Sequence, residues 1–357
     1  MRSTVLTTAL VLACVGGAQA ADLPLKAPPT AVVSSSGGVY FWIDGSYQSV
    51  NLPTYDLGFK RSSAAGNPDL GSAQSFDPTA TGSGIAGALG FVLPQGTFLS
   101  WGRNFRLEVG GSWVDASDNQ TGTGGNFPSA TQLVGGQVVD FGCTPACSFA
   151  GTLSTRYTAW TGNLKAAGDY QFGGTIVTPS IAIFGGRARN DQQFTQTFAL
   201  VPAPQPATPD YAAVSSLHWT DVGAKFGLDA AVPLTSSLIF GIGGNVGFAD
   251  RNVSMAASDE YLGASFSAIT AGATTTAFIA NAEARLTFKP WANTALRAFG
   301  GVNFDNSVPG ISRPTYAGPA ALVVQGTPAG IKFESETSFY AGGGITVEFG
   351  PGPAVVR

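Results

Sequence analysis

"TSFYAGGGITVEF", residues 337–349, carries two interleaved series of side chains. Thr337, Phe339, Ala341, Gly343, Ile345, Val347 and Phe349 form an apolar set with an aromatic near each end. Ser338, Tyr340, Gly342, Gly344, Thr346 and Glu348 form a polar or small set. A period of two marks a strand whose faces meet different surroundings. The fold turns on which face meets water.

The pattern recurs along the chain. Ten segments alternate, near 38–50, 82–93, 103–116, 153–172, 175–189, 215–232, 237–250, 276–289, 294–305 and 333–349. In 277–288, Phe278, Ala280, Ala282, Ala284, Leu286 and Phe288 oppose Ile279, Asn281, Glu283, Arg285 and Thr287. In 221–232, Val222, Phe226, Leu228 and Val232 oppose Asp221, Lys225 and Asp229. Short connections near 94–102, 173–174, 233–236 and 290–293 take turns with long ones near 51–81, 117–152, 190–214, 251–275 and 306–332. An even number of strands with turns of two lengths is the plan of an outer-membrane barrel.

Two features put the apolar face outward, toward lipid. The polar face is mostly Gly, Ser, Ala and Thr with single charges, which suits a crowded lumen better than a solvated surface. The apolar face is often bracketed by aromatics, as in Trp160 and Phe172 or Phe278 and Phe288, matching the aromatic girdles of such barrels. Sheets inside a bilayer must close, because unpaired backbone groups are too costly there. The expectation is an all-β, transmembrane, antiparallel up-and-down barrel of about ten strands, within limits of eight to twelve.

Composition agrees. Of 357 residues only 11% are charged, against 48 Gly and 24 Phe; an ordinary soluble domain carries roughly 25% charge. The net charge of −4 and the absence of a basic cluster exclude a nucleic-acid partner. Residues 1–20 read as a signal peptide, with Arg2, an apolar core and Ala18-Gln19-Ala20 as the cleavage site. Residues 21–37 read as a flexible lead-in, 38–349 as the barrel with five long external loops, and 350–357 as a tail. The expected location is the cell outer membrane, with its lipids and lipopolysaccharide as partners.

The stretch "ADLPLKAPP", Ala21 to Pro29, together with the strand pattern, resembles the mature start of porin-like outer-membrane proteins of Gram-negative bacteria, the outer-membrane immunogenic or opacity-like barrels. The resemblance implies membrane insertion and, more weakly, a porin-like role. The chain departs from that family in its longer loops and in the residues that follow Phe349, where the family ends on an aromatic.

By strand parity the lumen receives Asp44, Glu108, Asp169, Asp221, Asp229, Glu283 and Glu348, and with them Arg106, Lys165, Lys225, Arg285 and Arg297. Unpaired buried charge is expensive, so these should pair. They would either plug the barrel or line a narrow path for ions or small solutes, slightly favouring cations. The leading expectation is porin-like passive passage; the alternative is a closed structural or surface-recognition barrel acting through its loops.

Other motifs carry little chemistry. Gly82–Gly87 spells G-x-G-x-x-G but opens a glycine-rich strand, not a strand–helix unit, so no dinucleotide site follows. Cys143 and Cys147 form C-x3-C with no histidine or further cysteine nearby, and an oxidising compartment makes a disulfide the default. His218 is the only histidine, and its parity sets it on the lipid side, away from Asp221. No enzyme, cofactor or metal site is expected. Arg187 and Arg189 lie where their strand should leave the outer leaflet, placed to contact lipid phosphates.

Overall fold

The computed structural model describes residues 38–57, 59–60, 72, 74–93, 102–127, 129–132, 138–140, 147–199, 211–261, 263–314 and 327–349. The expectations for 1–37, Cys143, the tail 350–357 and the Cys147 side chain fall outside what is described.

Ten antiparallel strands form the wall: β1 (Gly38–Asn51), β2 (Thr79–Val92), β3 (Arg103–Phe127), β4 (Cys147–Phe172), β5 (Thr175–Ala199), β6 (Tyr211–Pro233), β7 (Leu238–Tyr261), β8 (Ala264–Trp291), β9 (Thr294–Ser312) and β10 (Gly330–Phe349). Each pairs with its neighbours in sequence, and β1 pairs with β10 to close the ring. The closing seam runs from Val39 opposite Phe349 to Ser49 opposite Phe339. Phe41 stacks on Phe349 at 5.9 Å across it. The stretch at 337–349 is therefore the strand that makes the sheet a barrel.

Its apolar series faces out. Phe339 and Phe349 are exposed, as are Val222, Phe226 and Leu228 on β6. From Phe339 to Phe349 the strand rises about 33 Å at roughly 3.3 Å per residue. At a tilt of about 40° that spans roughly 25 Å, the height of a membrane barrel's apolar band. Tyr47, Trp113, Trp160, Phe248 and Phe339 mark one edge of this belt, and Phe41, Phe172, Phe288, Trp291 and Phe349 the other.

Beyond the Tyr47 edge the wall continues, and here the structure corrects the expected boundaries. The segments read as long loops at 117–152, 190–214 and 251–275 are in large part strand, and strand also extends into 306–332, to Ser312 and from Gly330. Where a connection is expected to fill 251–275, strand runs to Tyr261 and resumes at Ala264, and Gly263 turns at φ 77° in the left-handed region that glycine tolerates. The physical cause is an inversion. On β6 the belt residues Val222 and Phe226 point out, but above them His218 is the exposed residue while Leu217, Trp219 and Ala213 are buried inside. Alternation persists while its two faces exchange character.

The segment after β1 does not stay outside. Leu52, Tyr55 and Phe76 are buried, and short strands Tyr55–Leu57 and Gln74–Phe76 pair with each other. Tyr55 and Phe76 join a core with Leu153, Phe194, Leu217 and Met255, lumen-facing residues of the projecting half. The described residues of 52–78 form a plug.

Candidate functional site

The interior is the candidate site, and it is layered. At the end nearest Phe349 lies a buried floor. Arg106 donates to Asp169 at 2.7 Å, lies 3.6 Å from Glu108, and Thr178 donates to Asp169 at 2.8 Å. Tyr40 donates to Glu108 in a short hydrogen bond. Tyr40, Arg106 and Glu108 are almost wholly buried, so the lumen is filled at this level.

Above the floor sits a chamber of about 340 Å³. Arg297 engages Asp44 and lies 4.7 Å over the Trp42 ring. Arg285 binds Asp229 at 2.9 Å and approaches Glu283 at 3.8 Å, while Tyr340 donates to Glu283 at 3.0 Å. Small residues make room for these pairs. A Cβ at Gly344 would collide with the Asp44 carboxylate, and one at Gly243 with that of Asp229. Lys165 and Lys225 line the same chamber and make no ion pair among the described residues. Lys225 lies 4.5 Å over the Phe184 ring.

A second chamber of about 270 Å³ follows, sharing Phe184 and Lys225 with the first. Its anchor is Arg251, whose Nε and Nη2 grip Asp221 at 2.8 Å each. The same guanidinium reaches Asp305 at 2.8 Å and donates to the Ser307 carbonyl at 2.7 Å. The register of β9 against β10 shifts between Asp305 and Val308, and this bulge aims Asp305 and Ser307 at the arginine. Arg251 and Asp305 are absent from the set read by parity. Arg251 lies one residue past the expected end of its strand, on the face of Gly247 and Ala249, so extending the alternation would have found it.

The plug closes the chamber from above. Thr54 N–H donates to Glu334 at 3.2 Å, and Lys332 lies 2.9 Å from Glu334 and 3.9 Å from Asp56. Burial, with Glu334 and Asp77 nearby, pushes the Glu336 carboxyl upward from its ordinary range. Burial is also the main cause that pushes the Tyr55 phenol up to about 12.

The remaining predicted residues fall as follows. Asp169 lies in the floor, and Glu348 at the same end, where its N–H donates to the Asn293 carbonyl at 2.9 Å. Gly82–Gly87 lies within β2. Arg187, Arg189 and His218 are on the outer wall. Ser216 sits between Asp191 (2.6 Å) and His218 Nε2 (2.9 Å). A nucleophilic triad needs the acid on the imidazole; here it contacts the serine, so the order is wrong for general-base activation. Arg251 and Asp305 add one charge of each sign, so the excess of acids in the parity set is unchanged. In the first chamber Asp44, Glu108, Asp229 and Glu283 each contact an arginine, as do Asp221 and Asp305 in the second, while Lys165, Lys225 and Glu336 line the space and make no ion pair among the described residues.

No protein-family model matches the chain, and no curated protein matches its sequence. Among solved structures it is similar to the outer-membrane protease OmpT from Escherichia coli (11% identity, 87% of this chain and 97% of that chain, TM-score 0.45). It is also similar to the translocator domain of the autotransporter NalP from Neisseria meningitidis (10% identity, 88% of each chain, TM-score 0.37) and to a Pseudomonas aeruginosa FadL homologue (9% identity, 87% and 90%, TM-score 0.25). All three are β-barrels of the outer membrane or their homologues. TM-scores below 0.5 carry no argument about activity, and the fold assignment rests on the closed ring itself.

Proposed function

We propose that the chain is an outer-membrane protein whose barrel is closed, a surface-projecting scaffold that acts through its outer half and not through steady passage of solutes. The apolar belt of roughly 25 Å supports the membrane location. The observation that carries the closed reading is the double seal. The floor around Tyr40, Arg106 and Glu108 and the plug core around Tyr55, Phe76 and Leu217 are each buried across the lumen. Water and ions have polar space only between them.

A role without catalysis belongs to the same reading. His218 points outward, and Asp44, Asp221, Asp229 and Asp305 are committed to hydrogen bonds from arginines.

Passage remains the second reading, because the two chambers adjoin and Lys165 and Lys225 project into them. It requires the plug to move.

Planar-bilayer recording of the refolded full chain separates the two. The expected trace is silent, without unitary steps across ±100 mV (roughly the range over which membrane potentials act). A stable open-channel current in most insertions would favour the porin-like reading.

A further inference from the structure

We propose that the outer wall across β2 to β5 carries a binding site for one phosphorylated lipid of the outer leaflet, with its phosphate on Arg187 and Arg189 and an acyl chain along a row of glycines. The inference rests on reading the belt as membrane-embedded.

The strand register sets out the site row by row. Gly87 lies beside Gly111, Gly111 beside Gly162, and Gly162 beside Gly185. Each shares the outward parity of exposed neighbours such as Leu89, Val109, Leu164 and Ile183. Three inter-strand steps of roughly 4.8 Å leave about 15 Å of wall bare of side chains. Part of this strip is an apolar groove of about 500 Å³, walled by Ile85, Leu89 and Trp113 over Gly87 and Gly111.

Two residues farther from the membrane centre, the next row reads Trp113, Trp160, Arg187 and Thr220. The row after it reads Asp115, Thr158, Arg189 and His218. A groove of about 700 Å³ runs over Trp113, Trp160, Arg187, Arg189 and His218. Tryptophans at the belt edge mark headgroup depth. At that depth the cations meet phosphates, and a guanidinium fork matches two phosphate oxygens.

The charges leave capacity for an anion. Arg187 makes no ion pair among the described residues. Arg189 binds Asp191 through Nε at 2.6 Å, and Arg156, one row higher, binds Asp115 at 2.9 Å. His218 is occupied with Ser216. Three arginines against two aspartates leave the patch positive, with Arg187, nearest the belt, uncommitted.

The test uses the refolded full chain in detergent micelles, with native mass spectrometry as readout. The probes are bisphosphorylated lipid A, the same lipid dephosphorylated, and inorganic phosphate. The chain is expected to retain one phosphorylated lipid, at least about tenfold more than the dephosphorylated form. Arg187→Gln with Arg189→Gln should abolish that preference. Gly162→Leu should weaken lipid retention while leaving inorganic phosphate unaffected, and Asp191→Asn, which frees Arg189, should strengthen it.

Equal retention of the two lipids would overturn the proposal without needing any variant. So would a double variant that keeps its heat-modifiable gel mobility and its preference. Inorganic phosphate displacing the lipid at equal concentration would instead make this a free-anion site. Insertion into vesicles, read by protease protection, tests the membrane reading separately: a chain that inserts but shows no lipid preference refutes only this site.

Discussion

Arg251→Ala is expected to lower the stability of the barrel by about 3–5 kcal/mol, the range for stripping one partner from a buried ion network. Arg251 is 3% exposed and ties three strands together, with Asp221 on β6 and Asp305 and Ser307 on β9 held from β7. Removing the guanidinium leaves two carboxylates facing each other beside an orphaned carbonyl. Urea titration of the refolded protein in vesicles, followed by tryptophan fluorescence, measures the loss. Replacing the three charged residues together by Met and two Leu should recover most of it, because apolar groups of similar volume need no partners. A single Ala substitution that left the midpoint in place would mean the network is not buried as described.

Phe76→Ala is expected to cost about 3–5 kcal/mol in the same titration, the usual range for emptying an aromatic site in a packed interior. Phe76 is buried, packs on Phe194 at 5.9 Å between ring centroids, and lies over Gly122, where a Cβ would come within 3.1 Å of its ring. Phe194 in turn meets Tyr211 at 6.2 Å. Because Phe76 belongs to the plug and Phe194 to the wall, the substitution should loosen 52–78 selectively. Its signature is faster proteolysis within that segment at urea concentrations where the belt strands stay protected.

The belt was legible in the sequence because a membrane barrel is most regular where lipid touches it. Phe278 to Phe288 and Val222 to Val232 repeat apolar side chains with few interruptions, and the structure places both runs within strands as expected. The strand ends were not legible, because above the belt water replaces lipid outside and a packed core replaces polar groups inside. Leu217 and Trp219 then take the lumen face that Asp221 and Lys225 hold below, so the two-residue pattern continues with only its sign changed. The same blind spot hid Arg251, beyond the point where alternation was followed. The plug was hidden for a different reason. Tyr55 and Phe76 lie in a segment rich in Ser, Gly, Pro and Asp, and their burial depends on wall residues far away in sequence, including Phe194 and Leu217.

A count of charges does not show which of them are paired. Parity assigned the lumen residues of the belt, but the number of acids and bases said nothing about which were neutralised. Asp44 with Arg297 and Asp229 with Arg285 are committed to each other, while Lys165 and Lys225 in the first chamber and Glu336 in the second line the space.

The central claim is that the barrel is inside-out over its belt and closed within. Nitroxide labels placed singly from 337 to 349, in a background with Cys14, Cys143 and Cys147 replaced by Ser, test it on the strand that closes the ring. In vesicles, labels at 339, 345, 347 and 349 should be accessible to oxygen and shielded from a water-soluble nickel chelate, while labels at 338, 340, 346 and 348 should be reached poorly by both. Oxygen accessibility with the opposite phase, or ready access of the chelate to the Tyr340 side, would contradict the account.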